Sequence, residues 1–377
     1  MFFTKSPGIG GRLRQRISDF IVEELPTAST PSDEYTIFWL EKFNWDAYQA
    51  IKAIANALHV SVKRFGIAGT KDKRAVTRQR ISVWKISPEQ LEKINIKDLR
   101  LYNFAKGERI NLGNSEGNRF TITIRDIGLT EEETKKRLNK IFSELNEGIP
   151  NLFGPQRFGE VRKITHVVGK EILKGNLQKA VKIYLCKVFE NEPEDAKKAR
   201  NYLTKNWGNK ESYLKALEIF PKRLRYERAM LDYLHKYPND FAGALRRLPK
   251  RLRKMFINAF QAFVWNKTVT EQTKKLKQQK ISLPGFDTKF DLKDPLHRKI
   301  IQILKKENIK LKDFKISSMP ELGCSGYERD LLLFPKELKL LEISDDEFNS
   351  DKLKLIISFE LPSGSYATII LKEIIKD

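Results

Sequence analysis

Leu353-Lys354-Leu355-Ile356-Ile357-Ser358-Phe359-Glu360-Leu361, near the end of the 377-residue chain, decides how the chain is organised. Leu353, Leu355, Ile357, Phe359 and Leu361 alternate with Lys354, Ser358 and Glu360, the two-residue period of a half-buried strand. Residues 118–127 show the same alternation, with Phe120, Ile122 and Ile124 on one side and Thr121, Thr123 and Arg125 on the other. Between these stretches, from about Ile164 onward, the pattern turns helical. Residues 172–189, 195–207, 212–219, 223–235 and 253–277 all favour helix, and Phe256, Phe260, Phe263 and Val264 recur at helical spacing. Strands that resume after a long helical block imply one domain built from both chain ends with a second domain set into it. The expected fold class is α+β: a mixed β-sheet domain from residues 1–170 and 323–377, and a largely α-helical insertion at 171–322.

The same reading extends outward to both termini. Residues 35–40 are rich in β-formers, and residues 46–59 place Ala47, Ile51, Ile54, Ala55 and Leu58 on one helical face. Residues 64–68 read as a short strand running into a turn, and residues 79–86 as another strand carrying Ile81, Val83 and Trp84. After the Pro362-Ser363-Gly364 turn, residues 366–371 read as a last β-like run.

Composition narrows the function class. The chain carries 71 Lys+Arg against 48 Asp+Glu, a formal net charge of +23. Basic residues interleaved with aromatics point to a nucleic-acid partner; a positively charged surface with no such partner is the plainer alternative. Cys186 and Cys324 form no CxxC pair, and His59, His166, His235 and His297 lack metal-binding spacing. Neither a zinc site nor a histidine-centred triad is suggested, and no cofactor is expected. Gly8-Ile9-Gly10-Gly11 and Gly66-Ile67-Ala68-Gly69-Thr70-Lys71 both miss the spacing of a P-loop. The start, Met1-Phe2-Phe3-Thr4-Lys5, lacks the apolar core of a secretory signal, and no stretch approaches the length of a membrane span. A cytoplasmic protein that works off the membrane, with no obligate protein partner evident, is the expectation.

Two constellations carry chemistry. In Arg64-Phe65-Gly66-Ile67-Ala68-Gly69-Thr70-Lys71-Asp72-Lys73-Arg74-Ala75 a single carboxylate, Asp72, sits on a glycine-loosened loop among Lys71, Lys73 and Arg74. Neighbouring cations favour an ionised carboxylate, so such a loop can meet a polyanion while holding one anionic group inside the contact. Alone, it is equally a salt-bridged surface acid. The second stretch is Asn151-Leu152-Phe153-Gly154-Pro155-Gln156-Arg157-Phe158-Gly159. An exposed aromatic, an amide and a guanidinium on a loop suit a flipped or single-stranded base; a compact turn that plugs Phe153 and Phe158 into the core is the competing reading. Arg246, Arg247, Lys250 and Arg251, and separately Arg12, Arg14 and Arg16, look like contacts to a nucleic-acid backbone or like solvated charged faces.

These residues together resemble the TruD family of tRNA pseudouridine synthases. The resemblance runs through Asp19-Phe20-Ile21-Val22-Glu23-Glu24, Gly69-Thr70-Lys71-Asp72-Lys73-Arg74-Ala75, residues 151–159, and Leu361-Pro362-Ser363-Gly364-Ser365-Tyr366-Ala367-Thr368, in the family's order. It implies a pseudouridine synthase catalytic domain built from both chain ends and a TRUD insertion domain that clamps RNA. It further implies Asp72 as the catalytic aspartate, Phe153 stacking on the target uracil, and Asn151 organising the pocket. Glu24 becomes a pocket-ordering acid, with Lys71, Gln156 and Arg157 beside the substrate and tRNA as the partner. Lys73 follows the aspartate where other members often carry Arg. Position 13 of tRNA is the implied target, and the reaction, an isomerisation, needs no cofactor or metal. A non-catalytic RNA-binding protein or RNA chaperone on the same scaffold remains the alternative of another class. Against another base-flipping tRNA modification enzyme, such as a methyltransferase, no glycine-rich cofactor loop follows a strand with a later acidic ribose-binder.

Overall fold

Alternation builds the sheet that the sequence predicts. The computed structural model describes residues 2–28, 30–271 and 276–376. Seven strands from the first part of the chain, β1 (Arg12–Leu13), β2 (Phe20–Pro26), β3 (Tyr35–Phe43), β4 (Phe65–Ile67), β5 (Val76–Trp84), β6 (Leu99–Gly107) and β7 (Ser115–Ile127), join two from its end, β8 (Lys336–Asp345) and β9 (Leu353–Pro362). The sheet runs β8-β9-β7-β2-β5-β3-β6, with β1 on β7 and β4 on β5. Only β2 and β5 pair in parallel; the other pairs are antiparallel. Strand β9, from the C-terminal stretch, lies directly beside β7, with Phe359 opposite Phe120 and Ile357 opposite Ile122. The mixed sheet is therefore assembled from both chain ends, as the alternation implies.

Two compact units result, residues 1–149 with 333–377, and residues 150–332. The change from strand to helix pattern in the sequence puts these lines at 170 and 322. The difference lies in the 151–159 loop and the helix after it, whose partners belong to the second unit.

In the first unit, helix α1 (Ala47–Ala57) starts at Asp46, whose carboxylate accepts from the N–H groups of Tyr48 and Gln49, an N-cap that satisfies free donors of the first turn. Ile51 and Ile54 of α1 join Phe38, Leu40, Phe65, Ile81 and Val83 in one buried core. Helix α2 (Pro88–Glu92) is short, and α3 (Glu131–Asn146) buries Leu138, Ile141 and Leu145. Residues 366–371 depart from expectation: after an extended Tyr366 they enter a helix, Ala367–Ile375. Thr368, Ile369 and Ile370 suggest strand by local preference, but Ala367, Ile370, Leu371 and Ile374 recur at helical spacing and are all buried. Packing overrides the weak β preference of branched side chains. Arg125, on the other side of β7 from Phe120, Ile122 and Ile124 in the alternation, has its charge matched inside the fold. It is buried, bonding Asp19 at 2.9 Å and Asp346 at 3.0 Å, a pairing that buried charge requires.

The second unit is helical: α4 (Thr165–Leu173), α5 (Leu177–Cys186), α6 (Glu194–Lys205), α7 (Lys210–Ile219), α8 (Arg225–Lys236), α9 (Phe241–Arg246), α10 (Lys250–Thr270) and α11 (Pro295–Lys306). The single helix expected at 172–189 is two, α4 and α5, separated by Gly175 at φ 75°, a left-handed conformation that glycine takes without strain. The expected helix 253–277 ends at Thr270, and residues 272–275 lie outside the described residues. Helices α4 and α10 cross closely at Gly169, where a Cβ would meet the Phe256 carbonyl oxygen at 2.0 Å. The unit also holds a short antiparallel pair, Lys280–Ser282 with Glu328–Asp330, and 3-10 turns that include Leu311–Lys315 and Pro320–Leu322. Among the described residues no helix is long and apolar enough to cross a membrane.

Candidate active site

In the first unit, the loop at 68–75 joins β4 to β5 and is irregular throughout. Charged side chains from distant parts of the chain tether it. Arg14 Nη2 donates to Asp72 Oδ2 at 2.8 Å, and about a third of the Asp72 side chain, 34%, stays exposed. Lys42, from β3, donates through Nζ to the Asp72 carbonyl oxygen at 2.6 Å. Lys71 turns the other way and pairs with Glu24 Oε2 at 2.9 Å, both side chains almost fully buried. The other Glu24 oxygen accepts from the Arg80 main-chain N–H at 3.2 Å, so the acid links β2, β5 and the loop. Gln79 reaches the Gly69 carbonyl at 3.4 Å, and Arg74 donates to the Arg14 carbonyl at 3.0 Å.

The electrostatics follow from this geometry. Burial pulls the Lys42 ammonium down to about 8, against Asp46 and Asp72, which favour its charge, and with Lys71, which opposes it. Arg14 lies in a left-handed conformation at φ 57°, strained for a residue with a Cβ and sustained only where the surroundings fix it. Its guanidinium also sits 4.1 Å from the centre of the Phe20 ring. Beside the loop an open hollow of about 640 Å³ is lined by Gln15, Arg16, Ile17, Ser18, Phe43, Asn44 and Arg74. Asp72 is thus a fixed carboxylate that solvent, and therefore a substrate, can reach.

In the second unit, the loop at 151–159 is held mainly by neutral groups. Asn151 donates its main-chain N–H to Leu331 at 2.9 Å and its side-chain amide to Asp330 at 3.0 Å. Its carbonyl accepts from Trp265 Nε1 at 2.9 Å, and its Oδ1 from Arg329 Nη2 at 2.6 Å. Asn266 clasps Phe153 twice, accepting from its N–H at 2.8 Å and donating to its carbonyl at 2.9 Å. Phe153 is buried, with 4% exposure, and is not the exposed aromatic that the loop's composition suggests. The Arg329 guanidinium lies 4.1 Å from its ring centre and the Arg157 guanidinium 5.6 Å. Phe158 meets His166 edge-on at 5.3 Å, and His166 stacks on Phe263 at 5.2 Å; burial lowers the His166 pKa. Gln156 and Arg157, half-buried, form a single 3-10 turn after Pro155.

The basic clusters divide. Arg246, Arg247, Lys250 and Arg251 are exposed on α9 and α10, although Arg246 bonds Glu321 at 3.0 Å and Arg247 lies 4.2 Å from the Tyr233 ring centre. The N-terminal arginines have separate partners within the fold. Arg12 pairs with Asp126, Arg14 with Asp72, and Arg16 covers Phe348.

Sequence reasoning missed Lys42, Trp265, Asn266 and Arg329, and it misjudged Arg14. Arg14 and Arg329 left no local signal, because each meets its partner across a long sequence separation. Lys42 did leave one, since it interrupts the apolar period of β3 after Phe38 and Leu40.

Comparisons with known proteins agree on one family. The family model described as tRNA pseudouridine synthase D (TruD) matches residues 1–285 and 274–374. The probable tRNA pseudouridine synthase D of Methanosarcina acetivorans is 36% identical, with 100% of this chain and 95% of that relative covered. Its counterpart from Methanopyrus kandleri is 37% identical over 90% of this chain and 85% of its own length. Among solved structures, the crystal structure of the putative tRNA pseudouridine synthase D (TruD) from Methanosarcina mazei superposes with a TM-score of 0.78 at 33% identity, covering 100% of this chain and 96% of that one.

Proposed function

Because the chain belongs to the TruD family of tRNA pseudouridine synthases, we propose that it isomerises uridine to pseudouridine at position 13 of tRNA, with Asp72 as the catalytic carboxylate. The observation that carries this reading is the state of Asp72: its carboxylate is held by Arg14 at 2.8 Å, its carbonyl by Lys42 at 2.6 Å, and its side chain stays partly open. A group fixed in direction before substrate arrives avoids the entropic cost of ordering it during reaction.

The reaction breaks the N1–C1′ bond of uridine, turns the uracil, and forms a C5–C1′ bond. C5 loses a proton and N1 gains one, so the overall change is an isomerisation. A carboxylate at Asp72 serves either as the nucleophile at the sugar or as the base that accepts a proton from it or from the uracil. Arg14 steadies its charge on either route. We assign Phe153 to stacking on the uracil and Asn151 to ordering the loop that carries Phe153. The Glu24–Lys71 pair fixes the start of the Asp72 loop, while Gln156 and Arg157 contact the flipped nucleotide. The first unit then acts as the catalytic domain, and the second as the TRUD insertion domain, whose Arg246, Arg247, Lys250 and Arg251 meet the tRNA backbone. A tRNA substrate supports a cytoplasmic enzyme.

The test incubates the protein with unmodified tRNA and maps pseudouridine by carbodiimide-dependent stops in primer extension, since an isomerisation changes no mass. Stops that appear with wild type and vanish with Asp72→Asn support the reading; equal stops with both rule Asp72 out.

A further inference from the structure

Strand β3 keeps its period until Lys42. Phe38 and Leu40 are fully buried on one face, packed with Ile51, Ile54, Ile81 and Val83. Two residues further on, the same face carries Lys42, also with 0% exposure. Burying an ammonium strips its hydration and costs free energy unless close partners replace it. The hydrogen-bond partner here is the Asp72 carbonyl at 2.6 Å. The charged groups acting on it are Asp46 at the start of α1, and Asp72 and Lys71 in the loop. Its register neighbours, Thr77 on β5 and Leu99 on β6, carry no charge.

For stability alone, an apolar residue would serve this position better, since well-packed hydrophobic groups commonly replace buried charges without loss. What lysine supplies is a charged donor at the main chain of the residue whose carboxylate Arg14 holds. From this geometry we propose that Lys42 is a positioning residue for pseudouridine formation: its ammonium pins the Asp72 main chain and so sets the direction from which the carboxylate meets the nucleotide. The proposal rests on Asp72 being the catalytic group. Lys42 itself touches no substrate and transfers no proton.

Its titration gives the proposal a signature. The ammonium is at full strength at low pH and is lost as pH rises through about 8, so turnover falls there. Stability moves the other way. The ordinary lysine value of 10.5 lies above the folded one, so between them the unfolded chain binds more protons, and raising pH favours the folded state. A lysine that merely held the loop in the fold would not set turnover and stability against each other.

The experiment measures single-turnover pseudouridine formation on an unmodified tRNA transcript from pH 6.5 to 9.5, with melting temperature and tRNA Kd. It uses wild type, Lys42→Met, Lys42→Gln and Asp72→Asn. Lys42→Met is expected to melt at or above wild type, bind tRNA within twofold, react about 10–100-fold more slowly, and lose the alkaline fall near pH 8. Lys42→Gln, a neutral donor, should react at an intermediate rate with no alkaline fall. Wild-type rates in Lys42→Met beside an inactive Asp72→Asn overturn the role of Lys42 and leave that of Asp72 standing. Full activity in Asp72→Asn defeats the functional reading instead. Should Lys42→Met not fold, a flat wild-type profile between pH 7 and 9.5, or an unchanged alkaline fall in Lys42→Gln, overturns the proposal equally.

Discussion

The loops at 68–75 and 151–159 look alike in sequence, both broken by glycine and edged with cations, yet they are held by opposite means. The first is tethered by charge: Arg14 on the Asp72 carboxylate, Lys42 on its carbonyl, and Lys71 buried against Glu24. The second is closed mainly by neutral donors and acceptors, Trp265 and Asn266 on Asn151 and Phe153, with Arg329 the one cation bonded into it in the contacts described above. A charge-tethered loop can leave its central group open and can respond to pH. A loop closed by amides and aromatic packing buries Asn151 and Phe153 while Gln156 and Arg157 stay half-buried. In the proposed division of labour, the first loop does the chemistry and the second supplies a fixed surface for the base.

The largest effect should separate the two loops at once. Asp72→Asn is expected to lower turnover by about 10⁴-fold while tRNA affinity, read by filter binding, changes only a few-fold. Comparable losses in affinity and turnover would make Asp72 a binding residue and erase the contrast. Next comes Phe153→Leu, which keeps most of the buried volume but removes the ring. Turnover should fall about 100-fold with a stability loss of roughly 1 kcal/mol, followed by single-turnover kinetics and denaturant unfolding; equal losses in Kd and turnover would point to simple RNA binding. Arg329→Met leaves Asn151 Oδ1 without its 2.6 Å donor and should cost about 2 kcal/mol. Hydrogen exchange should show the opening near Asn151 and none at 68–75.

The pH responses sharpen the same contrast. His166 is packed between Phe158 and Phe263, and burial lowers its pKa from 6.5. Its contribution to stability is therefore complete above 6.5 and is lost as pH falls below that value, because the unfolded chain takes up the proton first. Denaturant unfolding between pH 5 and 7 should show wild type weakening toward acid, and His166→Phe weakening less. The 151–159 region is then acid-sensitive in stability, where Lys42 makes the 68–75 loop alkali-sensitive in turnover. The smallest effect is at the surface: Arg246→Gln with Arg247→Gln should flatten the salt dependence of log Kd by about 1 to 2, without altering single-turnover rates at saturating tRNA.

Legibility in the sequence tracked how local each determinant is. The alternation at Leu353–Pro362 predicted a strand, and its return after the helices predicted a sheet built from both chain ends. Residues 366–371 misled because Thr368, Ile369 and Ile370 suit a strand locally, while the decisive spacing runs on to Ile374. The Asp72 loop stood out by composition, but its tether Arg14 is 58 residues away and Arg329 is 178 from Asn151. Such partners are chosen by topology, which short-range patterns do not encode. Lys42 lies between these cases, visible as a charge where the β3 period calls for an apolar side chain, though its partner was not. Phe153 shows the reverse limit, since glycines and proline around it suggested exposure and the hydrogen bonds of Asn266 buried it.

Whether this chain makes pseudouridine in tRNA is decided by treating an unmodified tRNA pool with the wild-type protein and reading carbodiimide-dependent primer-extension stops. The expected result is a stop reporting position 13 that is absent from untreated tRNA and from tRNA treated with Asp72→Asn. No new stop on any tRNA would contradict it.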